Sequence, residues 1–144
     1  MAKICIYGAG AIGGYLAACL DRAGAEVSLV ARGPHLAAIQ KNGLRLNKDG
    51  EVSVHPLKAS DDPRELGEQD YVILALKAHG IPKIIDQMAP LLGPDTAVVS
   101  AVNGLPWWYF HQANTGTMLD NQPLQAVDPA GRIYSEIGAH RAIG

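Results

Sequence analysis

The 144-residue sequence predicts an α/β fold built on a doubly wound, mostly parallel sheet. Three observations point there. A glycine string, Gly8-Ala9-Gly10-Ala11-Ile12-Gly13-Gly14, stands between a short apolar run and an amphipathic stretch. A second strand–helix unit follows within twenty residues. Further on, Tyr71–Leu76 is a continuous apolar run of the kind a central parallel strand shows when both its faces are covered.

The elements follow in order. Ile4–Tyr7 reads as a buried first strand and Ala11–Ala23 as an amphipathic helix. Gly24 suits the position just past that helix, and Glu26–Val30 reads as strand two. Gly33-Pro34 opens a second helix marked by Leu36, Ile39 and Gln40, which stops near Asn42-Gly43. Leu44–Leu46 and Val52–His55 are alternating runs joined by Asn47-Lys48-Asp49-Gly50, an inserted β-hairpin. Asp61-Asp62-Pro63 starts a short helical turn that ends by Gly67. After the central run, Ile81, Ile84, Ile85, Met88 and Leu92 repeat at helical spacing up to Gly93-Pro94, and Thr96–Ala101 is a further buried strand.

From Pro106 the pattern changes. Trp107-Trp108-Tyr109-Phe110 gathers four aromatic side chains, read as a packing surface, and glycine and polar residues dominate from there to Gly131. Arg132-Ile133-Tyr134 is expected to form a strand, and Arg141–Gly144 to begin another. This divides the chain into residues 1–112, a nucleotide-binding domain, and residues 113–144, an irregular extension ending at the start of a strand. The chain is expected to be part of a longer protein.

Bulk properties narrow the function. The chain is 48% hydrophobic and 18% charged, with a net charge of −2 and scattered basic residues, so no nucleic-acid footprint is expected. No apolar stretch nears the roughly 20 residues of a membrane helix. Cys5 and Cys19 read as small buried hydrophobes. The five histidines show no metal spacing, and each is expected at the surface. A reduced, cytoplasmic protein is expected, without metal or membrane partner, and a homodimer is compatible with it.

The glycine string has a chemistry. In a strand–turn–helix context the first glycine permits the tight turn, the second admits a pyrophosphate to the backbone, and the third lets helix and strand pack closely. The first helical N–H groups and the positive dipole end then face the phosphates. This is the signature of a Rossmann-type fold. In such a sheet, ligands bind beyond the carboxyl ends of the strands, and four informative residues fall at such ends: Gly8, Arg32, Lys77 and Asn103. NAD-binding folds place an acidic residue at the end of strand two, whereas an arginine there suits a 2′-phosphate. Ala31-Arg32-Gly33 offers no carboxylate, which predicts NADP rather than NAD. Lys77 closes six apolar residues and must reach solvent or an anion. Asn103-Gly104 reads equally as a turn or as a ligand contact.

The combination of the glycine string with Ala31-Arg32-Gly33, Leu76-Lys77-Ala78, Pro90-Leu91-Leu92-Gly93-Pro94-x-Thr96 and Val102-Asn103-Gly104 resembles the N-terminal domain of the ketopantoate reductase (2-dehydropantoate 2-reductase) family. Val127-Asp128-Pro129-x-Gly131-Arg132-Ile133 is similar to a segment of one branch. The resemblance implies NADPH-dependent reduction of 2-dehydropantoate, a small 2-keto acid, to pantoate on the way to pantothenate and coenzyme A. It implies that Gly8, Ala9, Gly10, Ala11, Ile12 and Gly13 hold the pyrophosphate and Arg32 the 2′-phosphate. Lys77 and Asn103 would stand beside the nicotinamide half, with Asn103 also bordering substrate. The family's proton donor is a lysine of a helical C-terminal domain, so no catalytic residue is expected within residues 1–144. The alternatives are a stand-alone NADP-binding module and another 2-keto or 3-hydroxy acid dehydrogenase of the superfamily.

Overall fold

The computed structural model describes residues 1–144. The chain runs β1 (Lys3–Tyr7), α1 (Ala11–Arg22), β2 (Glu26–Val30), α2 (Gly33–Asn42), β3 (Leu44–Lys48), β4 (Glu51–His55), β5 (Lys58–Ser60), β6 (Gln69–Leu74), α3 (Ile85–Met88), β7 (Leu92–Ser100) and β8 (Ala142–Ile143). Six strands form one parallel sheet in the order β5-β2-β1-β6-β7-β8, and β3 pairs antiparallel with β4 as a separate hairpin. The strand order reverses direction at β1, so the first crevice of the sheet opens there.

Side chains of β1 alternate between two cores, as a strand covered on both faces requires. Ile4 and Ile6 join Ala17 and Ala18 of α1, Leu29 of β2, and Leu36 and Ile39 of α2. Cys5 and Tyr7 join Val72, Leu74 and Val98 beneath Ile81, Ile84, Ile85, Met88 and Leu91. Burial pushes the Cys5 thiol up to about 12, against a hydrogen bond from Ser28 that lowers it, so this cysteine is a packing group and not a nucleophile.

The structure corrects several expectations. The helix expected over 81–92 is three short pieces: a 3₁₀ turn at Ala78–Lys83, the single turn α3, and a 3₁₀ turn at Ala89–Leu91. Pro82 and Pro90 interrupt the backbone ladder, yet the apolar spacing still delivers its side chains to the core. β7 begins at Leu92, four residues earlier than expected, because the Thr96 hydroxyl bridges the Gly93 N–H at 2.8 Å and the Gln69 carbonyl at 2.6 Å. A three-residue edge strand, β5, was not anticipated.

Arg132-Ile133-Tyr134 is helical rather than extended. The reason is Asp128, almost fully buried, whose carboxylate accepts the N–H groups of Ile133 at 2.9 Å and Tyr134 at 2.8 Å. That caps a wide helical turn over Tyr134–Gly138 and seats Ile133 and Ile137 in the core beside Trp107. The chain then returns to the sheet, where Ala142 and Ile143 pair with Val98 and Val99. Within the aromatic run, Trp107 is buried and meets Trp108 edge-on with ring centroids 4.4 Å apart, while Tyr109 is about half exposed. Contrary to the surface expectation, His55 is buried: its Nδ1 lies 2.6 Å from Asp21 of α1 and its Nε2 2.9 Å from the Ser53 hydroxyl, which ties the hairpin to α1.

Candidate dinucleotide site

The site is built where β1 gives way to α1. Gly8 turns with φ +110°, a conformation L side chains rarely adopt. A Cβ there would lie 2.8 Å from the Ala75 carbonyl oxygen, so the turn is pressed against the segment leaving β6. Backbone bonds from Gly8 N to Val30 O and from Ala75 N to Tyr7 O, each 3.0 Å, carry the sheet's pairing up to this rim.

The three motif glycines answer to different neighbours. Gly13 is buried, and a Cβ on it would stand 1.9 Å from the Gly8 carbonyl oxygen. Gly10 has extended backbone, φ −69° and ψ −169°, and a Cβ on it would meet nothing within 4 Å. Gly8 and Gly13 are therefore required by the protein's own packing. Gly10 borders open space, and only a ligand laid against the backbone would make use of its missing side chain. Gly10 also caps α1 without a side-chain hydrogen bond, leaving the helix's first N–H groups available.

That space is a cleft of about 730 Å³. Its floor is Gly8–Ala11, one side is Arg32 and His35, and the far wall is the hairpin residues Leu44–Asn47 with Tyr15. Arg32, Arg45 and His35 belong to the lining and no Asp or Glu does, so the cleft suits an anionic occupant. Arg32 sits just before α2, and its charge reaches the Tyr7 phenol: burial pushes that phenol's pKa up and the guanidinium pulls it back.

A second cleft, of about 420 Å³, lies on the other side of the glycine turn. Lys77, which caps the 3₁₀ turn after β6, and Asn103, three residues past β7, both line it. The two clefts share Gly10, Ala11 and Leu76, so they form one trough along the carboxyl rim of the sheet. Of the residues singled out from the sequence, Gly8, Ala9, Gly10, Ala11 and Arg32 lie in the first cleft. Ile12, Lys77 and Asn103 lie in the second, and Gly13 lies beneath the floor. His35 escaped sequence reading. Its Nε2 is 2.7 Å from the Ala9 carbonyl oxygen, and its only signal in sequence was its place in the turn that follows Arg32.

A parallel sheet with a glycine turn at its switch point, an open helix N-terminus and a bipartite trough along its carboxyl rim is the arrangement of a Rossmann-like α/β domain. Residues 4–107 match the family model described as ketopantoate reductase PanE/ApbA, and the chain belongs to that family. It is 58% identical over 143 residues to a 2-dehydropantoate 2-reductase of Mesorhizobium japonicum, covering 99% of this chain and 43% of the relative. A crystal structure described as a ketopantoate reductase of Ralstonia solanacearum superposes with a TM-score of 0.89 at 47% identity, over 99% of this chain and 43% of that one. D-mandelate dehydrogenase, solved with NADH and anilino(oxo)acetate, superposes with a TM-score of 0.67 at 30% identity, over 72% of this chain and 34% of that one. The chain thus spans less than half the length of the relatives it matches.

Proposed function

We propose that this chain is the cofactor-binding part of an NADPH-dependent reductase that converts 2-dehydropantoate to pantoate. The observation that carries the cofactor choice is the composition of the larger cleft: Arg32 at the end of β2, and no carboxylate in the lining. A ribose diol is held by an acidic group at that position, a 2′-phosphate by an arginine.

In this reading Gly8–Gly13 and the N-terminus of α1 take the pyrophosphate, and Arg32 takes the 2′-phosphate through charge-assisted hydrogen bonds. Lys77 and Asn103, which line the second cleft, would border the nicotinamide end, and Asn103 would also border the keto acid. When bound, NADPH supplies a hydride from the nicotinamide to the ketone carbon. What residues 1–144 would contribute is orientation: one rim carries the groups that would hold both ends of the cofactor. The acid that protonates the developing alkoxide is assigned, by family resemblance, to a helical domain outside these residues.

Arg32→Ala tests the cofactor assignment. A guanidinium–phosphate contact is worth about 1.5–3 kcal/mol. The variant is therefore expected to lose about ten- to a hundredfold in NADPH affinity by calorimetric titration, with NADH little changed. Equal losses for the two nucleotides would sink the 2′-phosphate reading.

The reaction is tested with a chimera. Substituting this chain for the matching stretch of the Mesorhizobium relative is expected to retain NADPH oxidation driven by 2-dehydropantoate. The polypeptide of residues 1–144 by itself is expected to bind NADPH and turn over far more slowly, since a positioned acid contributes about 10²–10⁴-fold. Comparable turnover from the two would place the catalytic group within residues 1–144. The similarity to D-mandelate dehydrogenase supports a second reading, a reductase of another 2-keto acid. The same chimera assayed with an aromatic 2-keto acid such as benzoylformate distinguishes the two.

A further inference from the structure

His35 occupies the first turn of α2 and reaches back to the glycine turn, 26 residues earlier in the chain, with its Nε2 2.7 Å from the carbonyl oxygen of Ala9. A carbonyl can only accept, so the contact requires a proton on Nε2, and His35 is the donor. The acceptor it chooses matters. The Ala9–Gly10 peptide is trans, so its C=O and its N–H lie in one plane and point in opposite directions. Fixing the carbonyl from behind fixes the direction of the Gly10 N–H in front.

That N–H has no acceptor within the chain. Ala9 and Gly10 both line the larger cleft, and the space over Gly10 is open. A glycine on one side of this peptide makes its rotation easy, because glycine accepts most φ values at little steric cost. No other group of the chain restrains the Ala9 carbonyl by a hydrogen bond, since α1 begins only at Ala11. A bond at the carbonyl also polarises the amide and strengthens its N–H as a donor.

We propose that His35 is a positioning residue for the pyrophosphate: by holding the Ala9 carbonyl it aims the Gly10 N–H into the cleft. This rests on the dinucleotide reading of the cleft. It gives His35 a role separate from that of its neighbour Arg32, although the two stand three residues apart on one turn. Arg32 distinguishes nucleotides by the 2′-phosphate, whereas His35 acts on what all of them share.

The test titrates three probes into the chain by calorimetry: NADPH, NADH and ADP-ribose, the last having the pyrophosphate but neither nicotinamide nor 2′-phosphate. His35→Ala is expected to weaken all three by a similar factor, about tenfold, the worth of one hydrogen bond in a preorganised site. His35→Gln, whose side-chain amide places an N–H near the position of Nε2, is expected to recover most of the loss. A merely structural role for the ring would show no such rescue. In the amide NMR spectrum, the Gly10 resonance is expected to move in His35→Ala and to return toward its place in His35→Gln. Arg32→Ala, measured alongside, should affect NADPH alone.

Unchanged binding in His35→Ala would overturn the proposal, as would a loss confined to NADPH or a glutamine variant as weak as the alanine. Failure of the unmodified chain to bind any of the three would instead remove the dinucleotide reading itself.

Discussion

Gly10→Val is expected to abolish binding of NADPH and NADH while the protein stays folded. The two halves of that result have separate physical causes. Nothing in the chain lies within 4 Å of a Cβ at Gly10, and its φ of −69° and ψ of −169° are open to any residue. The fold therefore has no steric objection to a side chain. Valine is a poor cap for α1, which costs about 1 kcal/mol against a total stability of roughly 5–15 kcal/mol. The isopropyl group, however, would stand in the trough where both clefts meet. A pyrophosphate laid along the N-terminus of α1 would be displaced from Gly10 by the thickness of that group, and its hydrogen bonds to the first N–H groups would be broken. Calorimetric titration with either nucleotide should give no measurable heat, while the thermal melt stays close to that of the unmodified chain. Binding at unmodified strength would show that the phosphate does not lie over Gly10.

Much of this arrangement was legible in the sequence because it rests on strong local signals. The glycine turn, the apolar strands β1, β2 and β6, the hairpin and the rim positions of Arg32, Lys77 and Asn103 all follow from short-range patterns. What was not legible depends on partners distant in the chain. β5 is three residues, Lys58-Ala59-Ser60, and is a strand only because β2 offers it an edge. Ile133 and Tyr134 look β-forming in isolation, yet a buried carboxylate five and six residues earlier caps them into a helical turn. Two prolines divide the segment after β6 although its hydrophobic spacing is helical, a case where burial demanded the side chains and the backbone could not supply the ladder. The wall of the cleft from Leu44 to Asn47 and the reach of His35 to Ala9 required the folded chain. So did the burial of His55, whose partner Asp21 lies 34 residues away. The chemistry-bearing residues could be read singly, and their neighbours could not.

The third motif glycine is expected to behave in the opposite way to the second. Gly13→Ala should cost several kcal/mol of stability, enough to lower the melting temperature by about 10 °C or more or to prevent folding. At an ordinary helical position, replacing glycine by alanine stabilises by roughly 1 kcal/mol. Here the new methyl would stand 1.9 Å from the Gly8 carbonyl oxygen and 3.0 Å from the Ala75 Cβ. Neither neighbour is free to yield. Gly8 is bonded to Val30 and already holds φ +110°, and Ala75 is bonded to Tyr7. The only relief is for α1 to lift from β1, and that would open the contacts of Ala17 and Ala18, both fully buried beside Ile6 and Leu29. Gly14→Ala is the matched control, since its added methyl would meet Leu44 at 3.6 Å, an ordinary contact, and gain the helix-forming advantage of alanine. Urea denaturation should therefore rank Gly13→Ala far below the unmodified chain and Gly14→Ala level with it or slightly above. A Gly13→Ala variant as stable as Gly14→Ala would mean that α1 and β1 do not approach as closely as this helix–strand contact requires.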